Sequence, residues 1–239
     1  MTMKPIPELE VVEDVAGVAA ERIAAAVRAG GHIALSGGST PRAAYERVAA
    51  IPGLDWSATT LWFGDERVVA ADHEYSNYAM VRASLLDRIE GPAPAVHRVQ
   101  GELTADEAAE RYEAELREAF CSQRPPRMDL LLLGLGPDAH CASLFPGDAA
   151  LAERERLVVG VRTPGMPPPV PRVTFTLPVL DAAHEVVFLI SGDDKAEAAA
   201  RAFGGARDTD APASLVSPEP GRLTVLIDPG AAARLEARR

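Results

Sequence analysis

Short apolar runs alternate with amphipathic, alanine-rich stretches along the whole chain. Residues 8–12 (ELEVV) read as a first strand. Asp14 is placed to cap the next helix, whose apolar residues include Val18, Ile23 and Val27 and whose stop is Gly30. Residues 32–36 (HIALS) form a compact strand, Gly37, Gly38, Ser39 and Thr40 a turn, and Pro41 suits the first position of a helix capped by Thr40. Thr59–Phe63 (TTLWF) is the next strand; after Gly64 a polar stretch leads to a helix from Ser76 through Ile89. Thr104 and Glu107 match a capping box ahead of AAERYEAELREAF. Residues 128–135 (MDLLLLGL) are continuously apolar, the pattern of a central parallel strand covered on both faces. Further strands are expected at 157–161, Glu185–Ile190 and 223–227, with helices near 193–203 and 231–237.

This alternation predicts an α/β fold: a mostly parallel open sheet with helices on both faces, Rossmann-like in kind. No repeat of 20–50 residues is visible, and the proline-rich stretch 163–171 (TPGMPPPVP) reads as a surface loop. Residues 1–239 are therefore expected to form a single α/β domain. With 47% hydrophobic and 25% charged residues, the balance is that of an ordinary globular protein. The 24 Lys+Arg against 35 Asp+Glu give a net charge of −11, which disfavours nucleic-acid binding. No apolar run approaches a membrane span, Glu8, Glu10 and Glu13 interrupt any leader-like segment, and Cys121 and Cys141 make no disulfide framework or zinc spacing. A cytoplasmic protein without a membrane partner is expected.

In an open α/β sheet, ligands bind beyond the carboxyl ends of the strands. Three polar, glycine-bearing segments are expected there. In the first, Ser36-Gly37-Gly38-Ser39-Thr40-Pro41, glycines permit close backbone approach, Ser39 and Thr40 offer hydroxyls, and the following helix points its N–H groups and dipole at the same place. That suits a phosphate, although neither a Walker sequence nor a GxGxxG is present. The second, Gly64-Asp65-Glu66-Arg67, crowds two carboxylates and a guanidinium at a strand end; alone it is equally a solvated loop with a local ion pair. The third, Gly134-Leu135-Gly136-Pro137-Asp138-Ala139-His140, puts a histidine just beyond the most apolar strand, where it suits a base near neutral pH, with Asp138 to orient it. His32, His73, His97 and His184 lack such surroundings and are assigned structural or surface roles. Arg172 and Lys195 together would neutralise a dianion. No GxSxG elbow supports a serine hydrolase, and Cys141 beside His140 makes a weak case for thiol chemistry because adjacent side chains diverge.

Together LSGGSTPRAAYERVA, WFGDERVVAADHEYSNYAMVRASLL, LLLGLGPDAHCASLFPG and RVTFTLPVLDAAHEVVFLISGDDKAEA closely resemble the 6-phosphogluconolactonase family. The motifs run in order from about Leu35 to Ala198. The resemblance implies the sugar-phosphate isomerase fold and hydrolysis of 6-phospho-D-glucono-1,5-lactone in the oxidative pentose phosphate pathway. It implies no metal or organic cofactor and a phosphorylated sugar lactone as the small-molecule partner; a monomer is expected. Carried onto this chain, it makes His140 the base, Asp138 or Asp65 its helper, and Arg67 the group that assists lactone binding or charge stabilisation. Gly37, Gly38, Ser39, Thr40, Arg172 and Lys195 would hold the phosphate. Two positions depart from the family's G-P-D-G-H-T-A-S: Ala139 stands for the glycine and Cys141 for the threonine. A positive φ at 139 would strain the loop by roughly 1 kcal/mol or more. The related glucosamine-6-phosphate deaminases carry M-D-E-Y and F-N-E-P patterns where this chain has GDER and SLFPG. A non-catalytic sugar-phosphate sensor would need a DNA-binding segment that the chain does not spare.

Overall fold

The computed structural model describes residues 7–121 and 125–236. The chain begins β1 (Glu8–Val11), α1 (Val15–Ala29), β2 (Gly31–Leu35), α2 (Ser39–Ala49), β3 (Thr59–Phe63) and β4 (Asp65–Arg67). It continues α3 (Asn77–Ser84), β5 (Ala95–Val96), α4 (Ala105–Phe120), β6 (Leu130–Leu133), β7 (Val158–Val161) and β8 (Arg172–Phe175). The last elements are α5 (Leu177–Ala182), β9 (Glu185–Ile190), α6 (Ala196–Phe203), β10 (Arg222–Ile227) and α7 (Pro229–Glu236). Residue 237 of the expected last helix lies outside the described residues. No helix among the described residues is long and apolar enough to cross a membrane.

Seven strands form one parallel sheet in the order β1-β10-β9-β6-β2-β3-β5. From β2 the chain moves outward through β3 to β5, and from β6 it moves the opposite way through β9 to β10. The reversal falls between β2 and β6, so their carboxyl ends border the crevice where such sheets place ligands. Both faces of the sheet are covered, which explains the unbroken apolar run of β6. Leu130 and Leu132 pack with α1, α2 and α3, whereas Leu131 and Leu133 pack with α4, α6 and α7 on the other face.

Local signals set several boundaries. Asp14 accepts from Gly17 N to open α1, and Gly30, at φ 73°, ends it. Thr104 and Glu107 form the expected capping box on α4. Two expectations are corrected. Thr40 does not cap α2: Gly38 occupies the N-cap, no side chain closes that end, and Ser39 and Thr40 lie in the first turn. The helix beginning after the Ser76 cap stops at Ser84 because Leu85 leaves helical geometry, and a separate 3-10 turn follows at Leu86–Arg88.

A second, three-stranded antiparallel sheet, β4-β8-β7, sits beside the first. Gly64 hands the chain from β3 to β4, donating to Leu35 O and accepting from Phe175 N. Asp65–Arg67 is therefore a strand rather than part of an irregular polar stretch, and residues 158–161 join this sheet instead of the parallel one. The proline-rich stretch 163–171 carries no helix or strand and connects β7 to β8.

Candidate active site

Four strand ends converge on one cavity. Its wall includes Gly37, Gly38, Ser39 and Thr40 after β2, Asp65 and Arg67 after β3, Gly134, Gly136 and His140 after β6, and Lys195 after β9. Two buried tyrosines fix the strand ends that carry these residues. Tyr45 on α2 accepts from Ser36 N and donates to Ser36 O, both at 2.9 Å. Tyr112 on α4 accepts from Phe63 N at 2.7 Å, and Phe63 O and His97 O both lie within reach of its hydroxyl proton. Each tyrosine satisfies backbone groups that the sheet ladder leaves free at its edge. Burial pushes both phenols well above their ordinary pKa, so they stay protonated. Ser36 Oγ accepts from Gly134 N at 3.2 Å, tying the ends of β2 and β6 together across the crevice.

Beyond β2, the open end of α2 supplies the anion-binding character. No described residue bonds the N–H of Ser39 or Thr40, and Pro41 has none to offer. Lys195 closes the same side; its nearest carboxylate is Asp194, 3.9 Å away. An eleven-residue helix with an uncapped N-terminus beside a lysine is suited to a phosphate dianion.

His140 lines the same cavity. Its Nδ1 lies 2.5 Å from Asp138 Oδ1, and its backbone N–H donates to the same oxygen at 3.1 Å. Ionised Asp138 can only accept, so Nδ1 carries the proton and Nε2 is left as the free acceptor. Burial pulls the Asp138 carboxyl upward, but the hydrogen bonds and charge of His140 outweigh it and hold the acid below its ordinary value. Phe145 packs on the imidazole with centroids 4.6 Å apart. The loop is closed by Ala139 N to Gly136 O and Gly136 N to His140 O. Gly136 leaves room for the imidazole: a Cβ there would collide with Nδ1 and Cε1 of His140. Ala139 adopts φ 67° and is fully buried, so it takes the left-handed conformation expected of the glycine it replaces. Cys141 is buried and its thiol is pushed far above the ordinary range, which removes it as a nucleophile.

The crowded segment after β3 contains no internal ion pair. Asp65 accepts from Ser143 Oγ at 2.7 Å and from Asn77 Nδ2 at 3.2 Å, and so does not touch His140. Glu66, 2% exposed, accepts from the backbone N–H of Arg67, Asn77 and Tyr78 and from Ser76 Oγ. Burial raises its carboxyl, and the three backbone donors pull against that. It seals the amino end of α3 onto β4. Arg67 donates from Nη1 to Tyr75 O at 2.7 Å, and its buried Nε has no partner.

Of the ten residues expected to form the site, two stand behind the wall. Asp138 backs His140. Arg172 lies opposite Arg67 in the β4–β8 register, is 4% exposed, and donates from Nη2 to Pro168 O at 3.0 Å. Burial and the charge of Arg67 bring its pKa down to about 10. Neither arginine forms an ion pair with a described carboxylate. Asn77 lines the pocket and was not singled out from the sequence; the residue following a capping serine reads simply as the start of a helix.

The family profile described as glucosamine-6-phosphate isomerases/6-phosphogluconolactonase matches residues 8–225. A human protein named 6-phosphogluconolactonase is 41% identical over 212 residues, covering 87% of this chain and 82% of its own length. One from a Nostoc strain is 41% identical over 210 residues, covering 85% of this chain and 84% of itself. The solved structure of 6-phosphogluconolactonase from Trypanosoma cruzi superposes with a TM-score of 0.86 at 30% identity, covering 98% of each chain. With the same fold and the same motif order, this chain belongs to the glucosamine-6-phosphate isomerase/6-phosphogluconolactonase family.

Proposed function

We propose that this protein hydrolyses 6-phospho-D-glucono-1,5-lactone to 6-phospho-D-gluconate, in the oxidative pentose phosphate pathway, as a cytoplasmic monomer. The observation that carries the assignment is the His140–Asp138 pair, its Nε2 without a protein partner, in a cavity also lined by an uncapped helix end and a lysine. The named relatives support the reaction class.

In the proposed mechanism the phosphate rests against Gly37, Gly38, Ser39, Thr40 and Lys195, which fixes the lactone end toward His140. Arg172 adds its charge from behind Arg67. His140 Nε2 takes a proton from water as the water oxygen bonds to the lactone carbonyl carbon. Asp138 keeps the Nδ1–H aligned and stabilises the imidazolium. Negative charge collects on the carbonyl oxygen, where the Arg67 guanidinium and loop N–H groups are the available donors. The tetrahedral species then collapses, the bond from carbon to ring oxygen breaks, and His140 returns its proton to that oxygen. Anchoring the remote phosphate converts its binding energy into orientation at the reacting carbon.

The test is disappearance of lactone generated in situ, with spontaneous hydrolysis subtracted, run beside ammonia release from glucosamine 6-phosphate. Accelerated lactone loss without ammonia is expected. Ammonia release without lactone acceleration would transfer the assignment to the deaminase branch.

A further inference from the structure

Asn77 is 2% exposed yet lines the pocket. Both carboxylates of the segment after β3 serve to hold it. Its backbone N–H donates to Glu66 Oε1 at 2.6 Å, and its Nδ2 donates to Asp65 O at 2.9 Å and to Asp65 Oδ1 at 3.2 Å. Both groups that Nδ2 meets accept and cannot donate, so the orientation of the amide is chemically determined. The nitrogen faces Asp65, and Oδ1 is turned to Gly37 and the cavity. A Cβ on Gly37 would collide with that oxygen, so the glycine is what leaves room for it. No described residue donates a hydrogen bond to Oδ1.

The rest of the wall is matched differently. The α2 terminus, Lys195 and Arg67 are donors suited to anionic oxygen. Asp65 already accepts from Ser143 and Asn77. A pre-oriented amide oxygen on the pocket wall, with no donor from the described residues, is left to accept from a ligand. We infer that Asn77 is a specificity-determining residue whose Oδ1 accepts a hydrogen bond from one ring hydroxyl of the phosphorylated sugar lactone. This rests on the lactonase assignment above and adds to it a group that tells one sugar from another. Sites that hydrogen-bond a substrate hydroxyl through a buried group reject the analogue lacking it.

The experiment measures kcat/KM of wild type and Asn77→Ala on the parent lactone and on its 2-, 3- and 4-deoxy analogues. Wild type should lose roughly tenfold on one analogue more than on the others. Asn77→Ala should lose roughly tenfold on the parent and nothing further on that same analogue. Equal wild-type losses on all three analogues would overturn the inference, and this series needs no variant that might misfold. So would an Asn77→Ala protein that penalises each analogue as wild type does, because that pattern belongs to a structural role. No acceleration of the parent lactone by wild type would overturn the function itself, and the inference with it.

Discussion

At position 136 the backbone and the imidazole compete for one volume. A methyl group on Gly136 would displace the His140 ring from Asp138 without touching the sheet beneath it. Gly136→Ala is therefore expected to lower kcat by about 10² or more, the usual contribution of a positioned base, while the far-ultraviolet circular dichroism stays native. A wild-type kcat in that variant would show that the ring position does not matter. Asp138→Asn should act in the same direction by loosening the ring and its tautomer. The Asp138 carboxyl is held below its ordinary value, so its support for His140 is complete above about pH 4 and is lost as pH falls through the lowered value. Ala139 has the opposite balance. Its φ of 67° costs about 1 kcal/mol, and its buried methyl returns a similar amount, so Ala139→Gly should leave the denaturation free energy within about 1 kcal/mol of wild type. A glycine in the family's usual place is thus replaceable here without changing the loop's path.

Among the elements, β2, β3 and α4 meet at an aromatic cluster. Trp62 Nε1 donates to His32 Nδ1 at 3.0 Å, and the indole stacks on His97 with centroids 4.1 Å apart. His97 meets Glu115 at 3.0 Å, and Phe120 packs on His32. Burial lowers the His32 pKa, with a nearby Asp129 pulling it up and His97 pushing it down. A base depressed in the folded state binds its proton more readily when unfolded, so stability falls as pH drops below about 6.5 and levels off below the folded value. His32→Gln should flatten the loss in urea midpoint between pH 7.5 and 5.5; parallel curves for the two proteins would contradict this. The sequence pattern disclosed most of these elements, because Thr59–Phe63, Glu185–Ile190 and the Thr104 capping box are written in local residues. It did not disclose the antiparallel sheet, since apolar runs such as 158–161 announce a strand without naming its partner. The pocket wall was legible wherever glycine, histidine or a lone cation broke an apolar run. Asn77 was not, because its role comes from Asp65 and Glu66, twelve and eleven residues away, folded over it.

For the molecule as a whole, a net charge of −11 sets most of the surface against anions, and the pocket reverses that sign locally. Arg67 and Arg172 face each other across a strand pair, the charges of Asp65 and Glu66 offset them without a direct ion pair, and Lys195 adds a third cation on the pocket wall. Like charges across a strand pair are destabilising. Saturating 6-phosphogluconate should therefore stabilise the fold by about 2.7 kcal/mol at a hundred times its Kd, and Lys195→Ala should weaken the apparent affinity about tenfold or more. Thermal unfolding with and without the product reads both quantities; an unchanged wild-type Tm would contradict product binding, and an unchanged affinity in Lys195→Ala would place the phosphate elsewhere. The central claim is that the strand ends of β2, β3, β6 and β9 assemble a lactone-hydrolysing site around His140. Its most direct test is the rate of lactone loss above the spontaneous reaction for wild type and His140→Ala, side by side. The account predicts clear acceleration by wild type and a fall of at least about 10² in the variant; acceleration that survives in a folded His140→Ala protein would contradict it.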